Sequence, residues 1–156
     1  MAKYIYGLDL SMSCSGVTIY DLDSKSFVIV DSIKTKDKDQ HGTRLHMQRN
    51  FLEDYMKEYP PYEVAIEKGF SRFNKSTQVV FRVHGVANEL YHEYEQYYYT
   101  PNMVKKTITE NGRASKEEVA SEIIKKYPEL RFNNDDESDS CAVLLTHLKK
   151  RYKVGI

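Results

Sequence analysis

The chain has no uninterrupted apolar run approaching the ~20 residues that a membrane helix requires. Its N-terminus, Met1-Ala2-Lys3-Tyr4, enters a strand-like segment directly, without the apolar region and cleavage site of a signal peptide. A cytoplasmic protein with no membrane partner is the expectation. Only two cysteines are present, Cys14 and Cys141, far apart and in no CxxC spacing, so they read as reduced structural thiols rather than a disulfide or zinc site. Net charge is also absent, with 23 basic residues against 23 acidic ones. That removes the overall basic excess usual in nucleic-acid binders. There are no repeats, low-complexity segments or interdomain linker, and 156 residues suit one domain spanning 1–156.

Charge is segregated all the same. From Lys68 to Val86 there are Lys68, Arg72, Lys75 and Arg82 and no acid, and Lys149-Lys150-Arg151-Tyr152-Lys153 is a second basic block. Asp135, Asp136, Glu137 and Asp139 concentrate the opposite sign in one short stretch. Charge runs are more often solvated faces than binding sites, so these blocks need a structural context.

Hydrophobic patterning predicts three opening strands, Tyr4–Leu10, Val17–Tyr20 and Phe27–Ile33, joined by turns short enough for antiparallel pairing. A helix follows from Arg44 to Tyr59, ended by Pro60-Pro61, and then a strand from Glu63 to Glu67. Val79, Val80, Val83, Val86, Ala87, Leu90, Tyr91 and Tyr94 carry the strongest helical periodicity in the chain. Tyr97–Tyr99 reads as a strand stopped by Pro101. Ser115 and Glu118 have capping-box spacing ahead of a helix, and a last helix runs from about Asp136 to Arg151. The order is βββαβαβαα. Strands linked through helices are expected to be parallel, with right-handed crossovers. The class is α/β: a mixed five-stranded sheet, three antiparallel strands and then two parallel ones, flanked by helices.

Four carboxylates stand out in this plan. Asp9 ends the apolar run Tyr4-Ile5-Tyr6-Gly7-Leu8, and Glu67 ends Val64-Ala65-Ile66. A carboxylate at the end of a buried strand costs desolvation energy unless a cation or hydrogen bond compensates. Asp136 and Asp139 share one face at the start of the last helix. Acids there complement the helix dipole by ~0.3–1 kcal/mol each, but four in five residues exceed what capping needs. If the first and fourth strands are neighbours, all four acids meet at the carboxyl edge of the sheet, where open sheets build their sites. Oxygen donors of this kind suit two hard divalent cations and an in-line phosphoryl displacement. Consecutive Tyr97-Tyr98-Tyr99 lack the arginine-rich surroundings of a tyrosine recombinase and read as strand and interface residues. An actin-like ATPase also opens on an aspartate strand, but it needs two such domains, and no P-loop is present. His147 reads as a packing residue.

At these residues the chain resembles the RuvC-type Holliday junction resolvases of the RNase H-like nuclease superfamily. The likeness is carried by Gly7-Leu8-Asp9-Leu10-Ser11 with Ser15-Gly16, by Ile66-Glu67-Lys68-Gly69-Phe70, and by Asp136 and Asp139 with Ala142-Val143-Leu144-Leu145-Thr146-His147. Its small size and divergent motifs resemble phage-encoded members, which work in the host bacterial cytoplasm. The resemblance implies an RNase H-like fold and a homodimer that nicks opposing strands of branched DNA, four-way and also three-way. It implies magnesium, two ions per site with manganese as a substitute, bound by Asp9, Glu67, Asp136 and Asp139 as catalytic residues. Phe70 stands where the family places an aromatic able to stack on bases at the branch, with Phe73 a weaker alternative. Lys68, Arg72, Lys75, Lys105, Lys106, Arg113 and Lys116 are the phosphate-contact candidates. Leu10-Ser11 departs from the Pro-Gly usual after the first aspartate, which bears on selectivity. A non-catalytic branched-DNA binder, or a related nuclease acting on RNA or flaps, is the alternative.

Overall fold

A computed structural model describes residues 2–69 and 75–154. Three antiparallel strands, β1 (Tyr4–Asp9), β2 (Cys14–Asp21) and β3 (Ser26–Lys34), open the chain. Helix α1 (His41–Glu58), strand β4 (Pro61–Glu67), helix α2 (Lys75–Leu90) and strand β5 (Glu95–Tyr99) follow. Three helices close the chain: α3 (Pro101–Thr109), α4 (Lys116–Lys126) and α5 (Asp135–Tyr152). The sheet order is β3-β2-β1-β4-β5, with β4 parallel to both β1 and β5. The expected α/β sheet is therefore present, and β1 and β4 are its adjacent central strands.

Side-chain alternation divides the core between two faces. Ile5 and Ala65 point toward α3, α4 and α5, where they meet Val104, Ile123 and Leu144. Tyr6, Leu8, Val64 and Ile66 point the other way, toward Leu52 of α1 and Val83 and Ala87 of α2. Of the helices, α5 is the central one, lying across β1 and β2. Two glycines admit it. A Cβ on Gly7 would sit 2.4 Å from the Ser140 carbonyl oxygen, and one on Gly16 only 2.1 Å from that of Asp136. Gly16 pairs with Asp9 across the β1–β2 ladder, so the start of α5 is seated beside Asp9.

Three of the boundaries that differ from the sequence expectation have a direct physical reason. Pro101 starts a helix rather than only stopping a strand: it is the first residue of α3, and the Thr100 side chain accepts from the Met103 N–H at 3.2 Å. A proline at a first helical position loses no hydrogen bond, so the residue read as a stop is a start. The order is thus βββαβαβααα. Helix α2 ends at Leu90, short of Tyr94, because tight turns through His92 and Tyr94 bring the chain into β5. Strand β4 begins at Pro61, the first position, where no ladder donor is needed. The Ser115–Glu118 capping box forms as expected.

Candidate active site

Asp9 and Glu67 are the last residues of β1 and β4. They lie on the face that carries Gly7 and Ala65, the face covered by α5. Helix α5 then brings Asp136 and Asp139 from its first turns. Its N-terminus is fixed by Asn134, whose side-chain oxygen accepts from the Glu137 N–H at 3.0 Å. Glu137 itself is buried and turned away: its carboxylate accepts from Ser32 Oγ at 2.6 Å and from the Asn133 N–H at 2.9 Å. It anchors α5 to β3, leaving Asp136 and Asp139 to face the strand ends.

The four acids are joined electrostatically. Burial pushes the Asp9 carboxyl well up, helped by the charges of Glu67, Asp139 and Asp136 and by a hydrogen bond to Asp136. Burial and then Asp139 raise Glu67 to about 7, against the opposing pull of Lys116 and Lys105. Asp139 is raised by burial, while Lys116 resists that shift by donating to Asp139 Oδ2 at 3.0 Å. Burial works against the Lys116 charge, but its bond to Asp139 and the fields of the acids outweigh it and raise its pKa. Among the described residues no three acid, imidazole or thiol groups are already gathered into a metal cage. Lys116 engages Asp139, while Asp9 and Asp136 lie within hydrogen-bond reach of each other. The donor set of the four acids nonetheless fits a hard divalent ion, since all four supply oxygen, and burial together with neighbouring carboxylates raises the proton affinity of Asp9, Glu67 and Asp139.

Of the other expected contacts, Lys116 and Lys105 stand at the acids. Lys68 is exposed directly after Glu67, and its backbone N–H donates to the Tyr99 carbonyl at 2.7 Å. Lys106 and Arg113 lie elsewhere, in a cleft with the end of α5. Phe70, Arg72, Phe73 and the side chain of Lys75 fall outside the described residues.

Several residues that shape the site escaped the sequence reading. Gln48, fully buried on α1, donates to the carbonyls of Ser11 (2.7 Å) and Met12 (3.0 Å) and accepts from Ser15 Oγ at 2.5 Å. It fixes the loop that follows Asp9. Cys14 places its thiol against Asp136, and burial with that hydrogen bond raises it to about 12, an inert thiol. A polar residue at an inward helix position, such as Gln48, was the one available signal.

A mixed sheet with acids at the ends of two adjacent parallel strands and on the helix crossing them offers the oxygen-rich edge that a carboxylate-dependent nuclease would use. The family model "Crossover junction endodeoxyribonuclease RuvC" matches residues 5–147, and the chain belongs to the RuvC family. The crossover junction endodeoxyribonuclease RuvC of Alkaliphilus metalliredigens is 35% identical over 149 residues, covering 92% of this chain and 91% of that protein. The one from Wolbachia sp. subsp. Brugia malayi is 33% identical over 150 residues, covering 92% and 93%. In fold, the chain matches Thermus thermophilus RuvC in complex with Holliday junction substrate at a TM-score of 0.81 and 21% identity, over 93% of this chain and 92% of that one. It matches the fowlpox virus resolvase bound to Holliday junction DNA at 0.61 and 11%, over 94% and 99%.

Proposed function

We propose that this protein is a crossover junction endodeoxyribonuclease that resolves Holliday junctions and related branched DNA by paired nicks, as a homodimer. The observation that carries the catalytic reading is the placement of Asp9 and Glu67 at the ends of adjacent strands, under the α5 turns that bear Asp136 and Asp139. These four residues would hold divalent cations, magnesium or manganese, which when bound supply an activated water and charge neutralisation at the phosphate.

The chain's own groups do the rest. The carboxylates set where the scissile phosphate sits, because they are fixed on strand ends and a helix start rather than on loops. Lys116 and Lys105 flank them and offer cationic contacts to the phosphates on either side. Lys116 also donates to Asp139 at 3.0 Å and so opposes the rise in proton affinity that burial gives this acid. Lys68 would meet the backbone beside Glu67. Phe70, Arg72 and Lys75 follow within a few residues of Glu67, a position suited to reading the branch. Cutting two strands across one branch requires two sites, and a two-fold dimer supplies them. Helix α2 leaves Phe81 half exposed, an apolar side chain available for such an interface.

The deciding experiment is cleavage of end-labelled four-way, three-way and linear DNA, with magnesium or manganese and with chelator. Metal-dependent cutting of branched forms is the expected result. Cutting that persists in chelator, or no cutting of any branch, would overturn the assignment.

A further inference from the structure

The basic block at the end of the chain does not act as a unit. Arg151 is engaged: its Nε donates to Glu63 at 2.9 Å and its guanidinium lies 4.9 Å over the Tyr97 ring. Lys149, Lys150 and Lys153 instead turn into an open cleft of about 1330 Å³ and meet Lys106 and Arg113 from α3 and the loop after it. All five are exposed, and none forms an ion pair or side-chain hydrogen bond among the described residues. Glu110 is the one acid lining the cleft. In a chain with no net charge, five free cations against one carboxylate form a local excess.

Helix dipoles explain part of this, because Lys106, Lys149 and Lys150 occupy last turns. They do not explain Arg113, which lies in the loop after α3. The cleft also adjoins the catalytic face. Lys105, whose field acts on Glu67, and Lys106, which lines the cleft, are consecutive in α3. Along α5, Lys149 lies ten residues beyond Asp139, a rise of ~15 Å. That is the span of four or five steps of a duplex strand at ~3.4 Å each.

We propose that this cleft is a second phosphate-binding track, which takes the backbone of a DNA arm several base pairs from the cut and anchors the branch against the acids. This rests on the nuclease reading and adds to it a binding surface outside the catalytic face. Free lysine and arginine heads in an open, uncapped groove suit a continuous backbone better than a single enclosed anion.

The test compares the wild-type protein with the triple variant Lys149→Gln, Lys150→Gln and Lys153→Gln. Binding is measured on a four-way junction across a salt series, with both proteins carrying Asp9→Asn, and phosphate-ethylation interference maps the phosphates engaged. Cutting is measured with Asp9 intact. The expected result is roughly tenfold weaker binding and a salt slope shallower by up to about three units, near 0.9 for each phosphate that is no longer neutralised. Interference at phosphates several base pairs from the cut should disappear, while the single-turnover rate at saturating protein and the melting temperature stay as in the wild type. Unchanged affinity, slope and interference pattern, with cutting intact, would overturn the track and leave the nuclease reading in place. A loss confined to the scissile phosphate, or a lower saturated rate, would overturn it too. A wild-type protein that cuts no branch would remove the nuclease reading instead.

Discussion

At the scale of single residues, the acids carry a conflict between stability and function that can be measured. Glu67 sits at about 7, raised first by burial and then by Asp139, against an ordinary value near 4.3. A raised carboxyl binds its proton more tightly in the folded state, so its contribution is complete below the unfolded value and is lost as pH rises through about 7. Glu67→Gln removes that loss. In chelator the variant should be more stable than wild type at pH 8 by roughly 1–3 kcal/mol, at ~1.4 kcal/mol per pKa unit, and the gap should close at pH ~4. Urea unfolding at the two pH values checks this, and a variant less stable at pH 8 would sink the idea. Divalent cation should stabilise wild type and not the variant. On DNA, Asp9→Asn or Glu67→Gln should abolish cutting while junction binding is kept or strengthened, since each removes a negative charge facing phosphate. Binding that collapses with activity in a folded variant would count against the assignment. These acids were legible because a charge ending an apolar run demands an explanation. Gln48 and Cys14 were not, because their importance lies in partners more than twenty residues distant.

At the scale of elements, α5 decides the geometry, and it is fixed at both ends by different physics. At its start, Gly16 and Gly7 let the helix backbone touch the sheet. Gly16→Ala would place a methyl 2.1 Å from a carbonyl oxygen, and the helix start must shift. Overpacking of this kind costs about 1–3 kcal/mol, and the shift should displace Asp136, lowering the cleavage rate more than the junction affinity. Gly42→Ala, where nothing lies within 4 Å, is the control and should leave both unchanged. At its far end α5 is bound to Glu63, which accepts from His147 Nε2 and Arg151 Nε at 2.9 Å and from the Tyr152 hydroxyl at 2.5 Å. His147 Nδ1 faces the Tyr99 hydroxyl at 2.7 Å, so this histidine links two strands to the helix rather than only packing. Burial opposes the Glu63 charge, yet the bonds from Tyr152, His147 and Arg151 hold its pKa low. Burial lowers His147 more than Glu63 raises it. Both groups bind fewer protons folded than unfolded, so stability from this cluster declines as pH falls below ~6.5 for His147 and further below ~4.3 for Glu63. Glu63→Gln should cost about 1–3 kcal/mol at pH 7 and flatten the acid limb of a stability–pH curve. An acid limb as steep as wild type would refute the role. The five strands, their pairing sense and α5 were readable from periodicity and connection length, whereas the adjacency of β1 and β4 entered only as a condition. Helix α3 was not, because a proline after a short strand signals an end and a beginning equally, and only Thr100 beside it distinguishes them.

At the scale of the whole molecule, net neutrality conceals a polarised arrangement along α5. Its start bears the acids of the proposed cutting site, and its end bears three free lysines, the first of them ~15 Å along the axis from Asp139. Neutral composition was correctly read as segregation, but which cations are free and which are engaged could not be read from order alone: Arg151 is committed to Glu63, and Lys149, Lys150 and Lys153 are not. One such molecule holds one set of acids and so makes one nick. Resolution of a branch needs two nicks on symmetric strands before the branch dissociates, which a two-fold dimer provides by placing two identical sets on one substrate. The consequence is a defined response to poisoning. When active protein is mixed and re-equilibrated with an excess of the Asp9→Asn variant, most active chains are paired with inactive ones. Each mixed dimer still binds the branch and makes a single cut. On a supercoiled plasmid bearing an extruded cruciform, the product should therefore shift from linear, the mark of paired cuts, to nicked circle as the inactive fraction rises. Light scattering of the mixture should show the dimer mass throughout. If the inactive chains only slow the reaction and linear product keeps its share, the two cuts do not come from paired subunits and the dimer mechanism fails.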